Sequence, residues 1–149
     1  MSELEGLFQL RPYTPEDIPF IHNSWGTSYY RCSGANKVVD SRTFHERHRP
    51  LREAFFHRPT AAVIVACDKS DPWLIVGWIA LEQIPEAVVV HYVSVKSAFK
   101  GQGIAKWMFS QVNKVSPVTA YTHKTKDAKA ILNKGSSVLA QLTFVPHLI

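Results

Sequence analysis

The stretch Val88–Trp107, VVVHYVSVKSAFKGQGIAKW, decides the fold. Its first half is rich in β-branched residues and predicts a buried strand ending near Lys96. Two glycines, Gly101 and Gly103, then flank a single residue. After them Ile104, Trp107, Met108, Gln111 and Val112 recur at helical spacing. A strand, a Gly-containing turn and an amphipathic helix in direct succession have a chemical consequence. Glycine tolerates positive φ, so the turn can aim several main-chain N–H groups at one point. The start of the helix adds its unpaired N–H groups and the positive end of its dipole. That is an anion cradle suited to phosphate, and Lys96, Lys100 and Lys106 surround it with charge. It is not a Walker loop, since GxxxxGK[ST] is absent. The dinucleotide fingerprint also fails, because the third glycine and the downstream acidic residue are missing.

Upstream, Ala62–Cys67, Trp73–Gln83 and Ala87–Lys96 read as three strands of an antiparallel meander, and Gly77 in mid-strand predicts a close backbone approach. Phe8–Arg11 is a further strand. Thr14-Pro15-Glu16-Asp17 carries helix-start chemistry, with Ile18, Ile21, Trp25 and Tyr29 on one helical face beyond it. Residues 31–40 read as a loop. Ser41–His57 is a second helix with Phe44, Leu51 and Phe55 on its inner side, to be kinked or split at Pro50. Downstream, Val118–His123 is strand-like, Lys126–Lys134 helical with Gly135 as its stop, and Val138–Val145 a last strand. The order β-α-α-β-β-β-α-β-α-β predicts one α/β domain over residues 1–149, with helices on both faces of a single mostly antiparallel sheet.

Composition narrows the function. With 149 residues, 46% hydrophobic and 19% charged, the chain suits a globular core. It has no apolar run long enough to span a bilayer, and its acidic start is unlike a secretory signal. Cys32 and Cys67, with no CxxC, fit free thiols, so a cytoplasmic location is expected. Residues 1–86 carry −2, whereas residues 87–149 hold eight lysines against Asp127 alone, for +7. Such a half-domain attracts a polyanion. Because it contains no arginine, a phosphorylated cofactor is favoured over a nucleic acid, which stays an alternative partner. His22, His45, His48, His57 and His147 lack metal-ligand spacing, and His45 and His48 with Glu46 read as a solvated helix face, so no metal is expected.

The segment around Lys100-Gly101-Gln102-Gly103-Ile104-Ala105 resembles the acyl-CoA-binding core of the GCN5-related N-acetyltransferase (GNAT) superfamily, whose pattern is Gln/Arg-x-x-Gly-x-Gly/Ala. Val93-Ser94-Val95-Lys96, Leu10-Arg11-Pro12 and Ile75–Ile79 also resemble family positions. Lys100 stands where the family usually has glutamine or arginine, which keeps the charge but not the fork geometry. The resemblance implies acetyl-CoA as donor and a small-molecule or protein amine as acceptor, joined by direct attack in a ternary complex. It implies that Val93, Ser94 and Val95 line the pantetheine arm, with main-chain groups of Val93 and Val95 engaging it. Lys100, Gly101, Gln102, Gly103, Ile104, Ala105 and Lys106 would hold the pyrophosphate. The family's helical tyrosine, which protonates the leaving thiolate, has no counterpart in Lys129–Gly135. That gap leaves a CoA-binding or regulatory protein without turnover as a second reading.

An acceptor ammonium must lose its proton before attack. His91 stands two residues before Val93, so strand alternation predicts that it shares the face of Val93 and Val95, and some family members carry a catalytic histidine there. Glu82 and Glu86 are the alternative bases. For the general acid, Tyr121 on the fifth strand is chosen, with His123 and Ser94 as rivals.

Overall fold

The computed structural model describes residues 3–122, apart from 86 and 119, together with 143 and 144. A one-turn helix α1 (Leu4–Leu7) leads into β1 (Phe8–Pro12). Helices α2 (Ile18–Cys32) and α3 (Ser41–Phe56) follow, then β2 (Ala61–Asp68), β3 (Ile75–Ile84) and β4 (Ala87–Val95). After the glycine turn come α4 (Ile104–Val115), β5 (Ala120–Tyr121) and β6 (Thr143–Phe144). The six strands form one sheet in chain order. The first four are antiparallel, and β5 and β6 join them in parallel. The helix expected at Lys126–Lys134 lies outside the described residues.

The entry to α2 is clipped by side chains. Asp17 accepts the Thr14 N–H at 2.7 Å and takes a two-pronged bond from Arg11 at 2.6 and 3.0 Å. The Arg11 and Thr14 bonds hold the carboxyl below the usual carboxylate range despite its burial. This ties β1 to the start of α2, and Pro19 is accommodated in the first turn, where its missing N–H costs nothing.

The sheet separates two apolar layers. On one face Val76, Ile79, Val93 and Val95 pack against Ile104, Met108 and Val112 of α4. On the other, Val63, Val65, Trp78 and Tyr92 meet Ile21, Trp25 and Phe55 of α2 and α3. Trp25 stacks on Tyr92 at 5.6 Å, and Trp78 stacks on Tyr92 at 5.5 Å. Such pairs add about 0.5–1.5 kcal/mol each beyond area burial. Two hydrogen bonds fix the same seam: Trp78 Nε1 donates to Ser24 Oγ at 2.8 Å, and Ser28 Oγ pairs with the Tyr92 hydroxyl at 2.7 Å.

Helix α3 is not split at Pro50 but runs through it. It departs from the sequence reading in two ways. Leu51 is exposed and is no part of its inner side. His48 and Arg52 are buried with Phe55 instead, so His48 does not belong to a solvated face. The residues 48, 52 and 55 are helical neighbours, but two of the three are polar and carry no hydrophobic signal.

Candidate active site

The Gly-x-Gly turn has the backbone its sequence demands. Gly101 and Gly103 sit at φ +84° and +82°, and a Cβ built on either would meet nothing within 4 Å. The space outside the turn is therefore open. Gly103 is the N-cap of α4 and no side chain caps that end. The first helical closure is Trp107 N–H to the Gly103 carbonyl at 3.0 Å, which leaves the preceding N–H groups of the first turn directed out of the helix end. Such a donor set suits an anion.

Strand β4 changes character along its length. Val89 and Val90 pair with Ala120 and Tyr121 of β5, and Val90 O accepts from Thr122 N at 3.1 Å. Beyond Val90 no described strand borders that edge. Lys96 N–H bonds Val76 O at 2.8 Å on the β3 side. Backbone groups alternate in direction along a strand, so those of Val93 and Val95 point away from β3, toward the edge that no described strand borders. Their side chains remain in the α4 core.

A cavity of about 330 Å³ lies beside this strand end, between α2 and the turn. Ser94, Val95, Lys96 and Lys100 form its sheet-and-turn side, and Asn23, Ser28, Arg31 and Cys32 its α2 side. Three cations therefore face it, and no carboxylate or histidine lines it among the described residues. Gly77 lies on its floor: a Cβ there would sit 2.8 Å from Ser94 O and 3.0 Å from Met108 Cε. The close approach expected of this glycine is real.

His91 requires a correction. The register places Ala80 opposite Tyr92 but Leu81 opposite Val90, so His91 is the extra residue of a β-bulge. Strand alternation fails across it. The imidazole lies on the α3 side with Glu82 and Phe55, not on the face of Val93 and Val95. It is 1% exposed, with Nε2 2.8 Å from Glu82 Oε1 and Nδ1 3.0 Å from Thr122 Oγ1. Burial pushes its pKa down, against the raising influence of Glu82. A carboxylate only accepts, so Nε2 of the neutral ring carries the proton and Nδ1 accepts from Thr122. Glu82 is further held by Arg58 at 2.9 Å and Thr60 at 2.6 Å. Burial favours its neutral form, but the bonds from Thr60, His91 and Arg58 outweigh that and lower its pKa.

Tyr121 packs against the α4-side cluster and does not line the cavity. Ser94 does. Glu86 and His123 lie outside the described residues, and Gln102 and Lys106 stand in the turn and the first turn of α4. Asn23, Ser28 and Arg31 were not singled out by the sequence. Their one signal is that Ser24 and Ser28, spaced i, i+4, put two hydroxyls on a helix edge next to Trp25.

Residues 19–116 match the Acetyltransferase (GNAT) family. The chain belongs to the GNAT family. Solved structures agree on the fold. A proposed acetyl transferase of Pyrococcus furiosus superposes with a TM-score of 0.63 at 13% identity, covering 87% of this chain and 93% of that one. A GCN5-related N-acetyltransferase of Ralstonia eutropha JMP134 gives 0.62 at 12% identity, covering 87% and 94%. The PaiA N-acetyltransferase of Thermoplasma acidophilum, solved with coenzyme A, gives 0.53 at 15% identity, covering 77% and 72%. No curated protein matches in sequence. Among the described residues no helix is long and apolar enough to cross a membrane, and no group of three or more His, Cys, Asp or Glu could hold a metal ion.

Proposed function

We propose that this GNAT-family chain transfers an acetyl group from acetyl-CoA to an amine. The observation that carries this reading is one continuous stretch of chain: the end of β4, which no described strand borders and which lines the cavity, then Lys100 on the same cavity, then the uncapped, glycine-built start of α4. Main-chain N–H groups of the turn and α4 would bind the pyrophosphate, with Lys96 and Lys100 neutralising charge. The outward-facing backbone of Val93 and Val95 would pair with the amide-bearing pantetheine arm and direct the thioester into the cavity. A main-chain donor at the thioester oxygen would stabilise the tetrahedral transition state, a contribution typically of about 3–4 kcal/mol.

The amine nitrogen attacks the carbonyl carbon, the C–S bond breaks, and the thiolate takes a proton. His91 is assigned a positioning role, holding β4 to β5 through Thr122, while Ser94 supplies a hydroxyl on the sheet side of the cavity. With no described carboxylate or histidine on the wall, the ammonium proton leaves through water. That same lack favours a second reading, a CoA-binding protein without turnover. Calorimetric titration with acetyl-CoA, followed by thiol release across a panel of amines, tests both. Binding with release supports the transferase, and binding without release on any amine supports the second reading. No binding at all rejects both.

A further inference from the structure

Arg52 is a buried cation without an anion. Its side chain is 4% exposed, and its guanidinium packs 3.0–3.1 Å from the position a Cβ would take on Gly26 of α2. Nε donates to His22 Nδ1 at 3.4 Å, and Nη1 bonds His48 Nδ1. No carboxylate pairs with it among the described residues, whereas Arg11, Arg42 and Arg58 each have one. Both histidines must offer a lone pair to the guanidinium, so both are neutral and neither compensates its charge. His48 is enclosed by aromatic rings, stacked on Phe44 and 5.1 Å from Tyr29. Burial, with Arg52 and Arg49 beside it, holds the pKa of His22 down.

Burying an unpaired charge is costly unless a partner arrives. The place for that partner exists. Arg52 lines a groove of about 630 Å³ between α2 and α3, together with His22, Asn23, His45, Arg49 and Glu53. Glu53 makes no ion pair with Arg52 within 4 Å, and Arg49 adds a second cation at the rim. Asn23 belongs both to this groove and to the cavity beside β4, so a ligand in one lies across a single helix from the other.

We infer that the α2–α3 groove binds a carboxylate or phosphate group, with Arg52 as the buried ligand and Arg49 as the second. The anion is either a free ion or the charged end of the amine acceptor. The groove's binding does not depend on acetyl transfer.

Inorganic phosphate is the probe, titrated at constant ionic strength against chloride, with the ring nitrogens of His22 and His48 followed by NMR. The Gly101–Gly103 turn could also take phosphate, so Gly103→Glu is titrated in parallel. Saturable shifts of both rings are expected in the wild type and in Gly103→Glu alike. Arg49→Ala, at an exposed position, should weaken the response about tenfold, the size of one lost charge-assisted bond. Arg52→Gln should abolish it, and if that variant fails to fold, Arg49→Ala alone decides. Rings that do not move, or that move equally in Arg49→Ala, overturn the inference. The source of the anion follows from amines with and without a carboxylate. A KM raised by Arg49→Ala only for the carboxylated amine assigns the site to the acceptor, and phosphate binding without that split assigns it to a free ion.

Discussion

His91 and Glu82 face each other across two strands, Nε2 to Oε1 at 2.8 Å, with the imidazole neutral and the carboxylate charged. Both pKa values are lowered in the folded chain, and the sign of the pH dependence follows. Around pH 6.5, the ordinary histidine value, the unfolded chain takes up a proton that folded His91 refuses, so stability falls as pH drops through that region. Glu82 adds a second loss below its ordinary 4.5, as pH falls toward its depressed folded value. His91→Ala should remove the His91 share of the upper loss while lowering stability at pH 7.5 by about 1–3 kcal/mol, because Glu82 and Thr122 lose a partner. His22 keeps its own share of the upper loss, since its pKa is lowered too. Urea unfolding from pH 4 to 8 measures both changes. If His91→Ala leaves stability intact but abolishes the acidic limb of turnover, the ring is a base after all.

Gly77→Ala tests the cavity floor. The new Cβ would lie 2.8 Å from the Ser94 carbonyl oxygen, and a backbone atom in mid-sheet cannot step aside as a side-chain end can. Strands β3 and β4 must part where Ser94 and Val95 border the cavity. A loss of about 1–3 kcal/mol is expected, as for overpacking a core, with weaker acetyl-CoA binding in the folded fraction. Thermal unfolding and calorimetry together check it, and unchanged values in both would mean that the sheet yields freely here.

Gly103→Glu addresses the cradle itself. At φ +82° any side chain costs about 1–2 kcal/mol, and a carboxylate would also stand where the phosphates are expected. Acetyl-CoA binding should vanish while a cooperative unfolding transition remains. Undiminished affinity by calorimetry would reject the assignment of the turn.

Local chemistry explains what the sequence disclosed. Gly101, Gly103 and the helical spacing after them fix a turn whose geometry depends on neighbours in the chain, so it reads correctly without a tertiary structure. The capping role of Asp17 is local in the same way. His91 is different: its direction depends on a bulge, which the pairing of β4 with both β3 and β5 creates, and period-two counting cannot register an inserted residue. Arg52 and His48 were hidden for another reason. An apolar pattern places Leu51 inside and His48 on a solvated face and says nothing of Arg52, although the chain buries His48 and Arg52 where α3 packs against Gly26 and Tyr29.

Lys100 distinguishes a cofactor site from a polyanion-binding surface. It lines the cavity beside the turn, where the family more often has glutamine or arginine, and its charge reaches a phosphate without the fixed fork of a guanidinium. Lys100→Gln should weaken acetyl-CoA binding about 3–10-fold at low ionic strength, the scale of one partly exposed charge contact. The deficit should shrink in high salt, because the Debye length falls to about 3 Å at 1 M. Main-chain N–H groups in the turn are unchanged by the substitution, so residual affinity should persist in both. A basic surface built for nucleic acid would behave otherwise, with steep salt dependence spread over the other lysines and little dependence on Lys100. Calorimetry of acetyl-CoA and fluorescence anisotropy of a DNA duplex, each at two salt concentrations, separate the cases. Tight duplex binding at physiological salt, unaffected by Lys100→Gln, would assign the basic half of the chain to nucleic acid instead of to the cofactor.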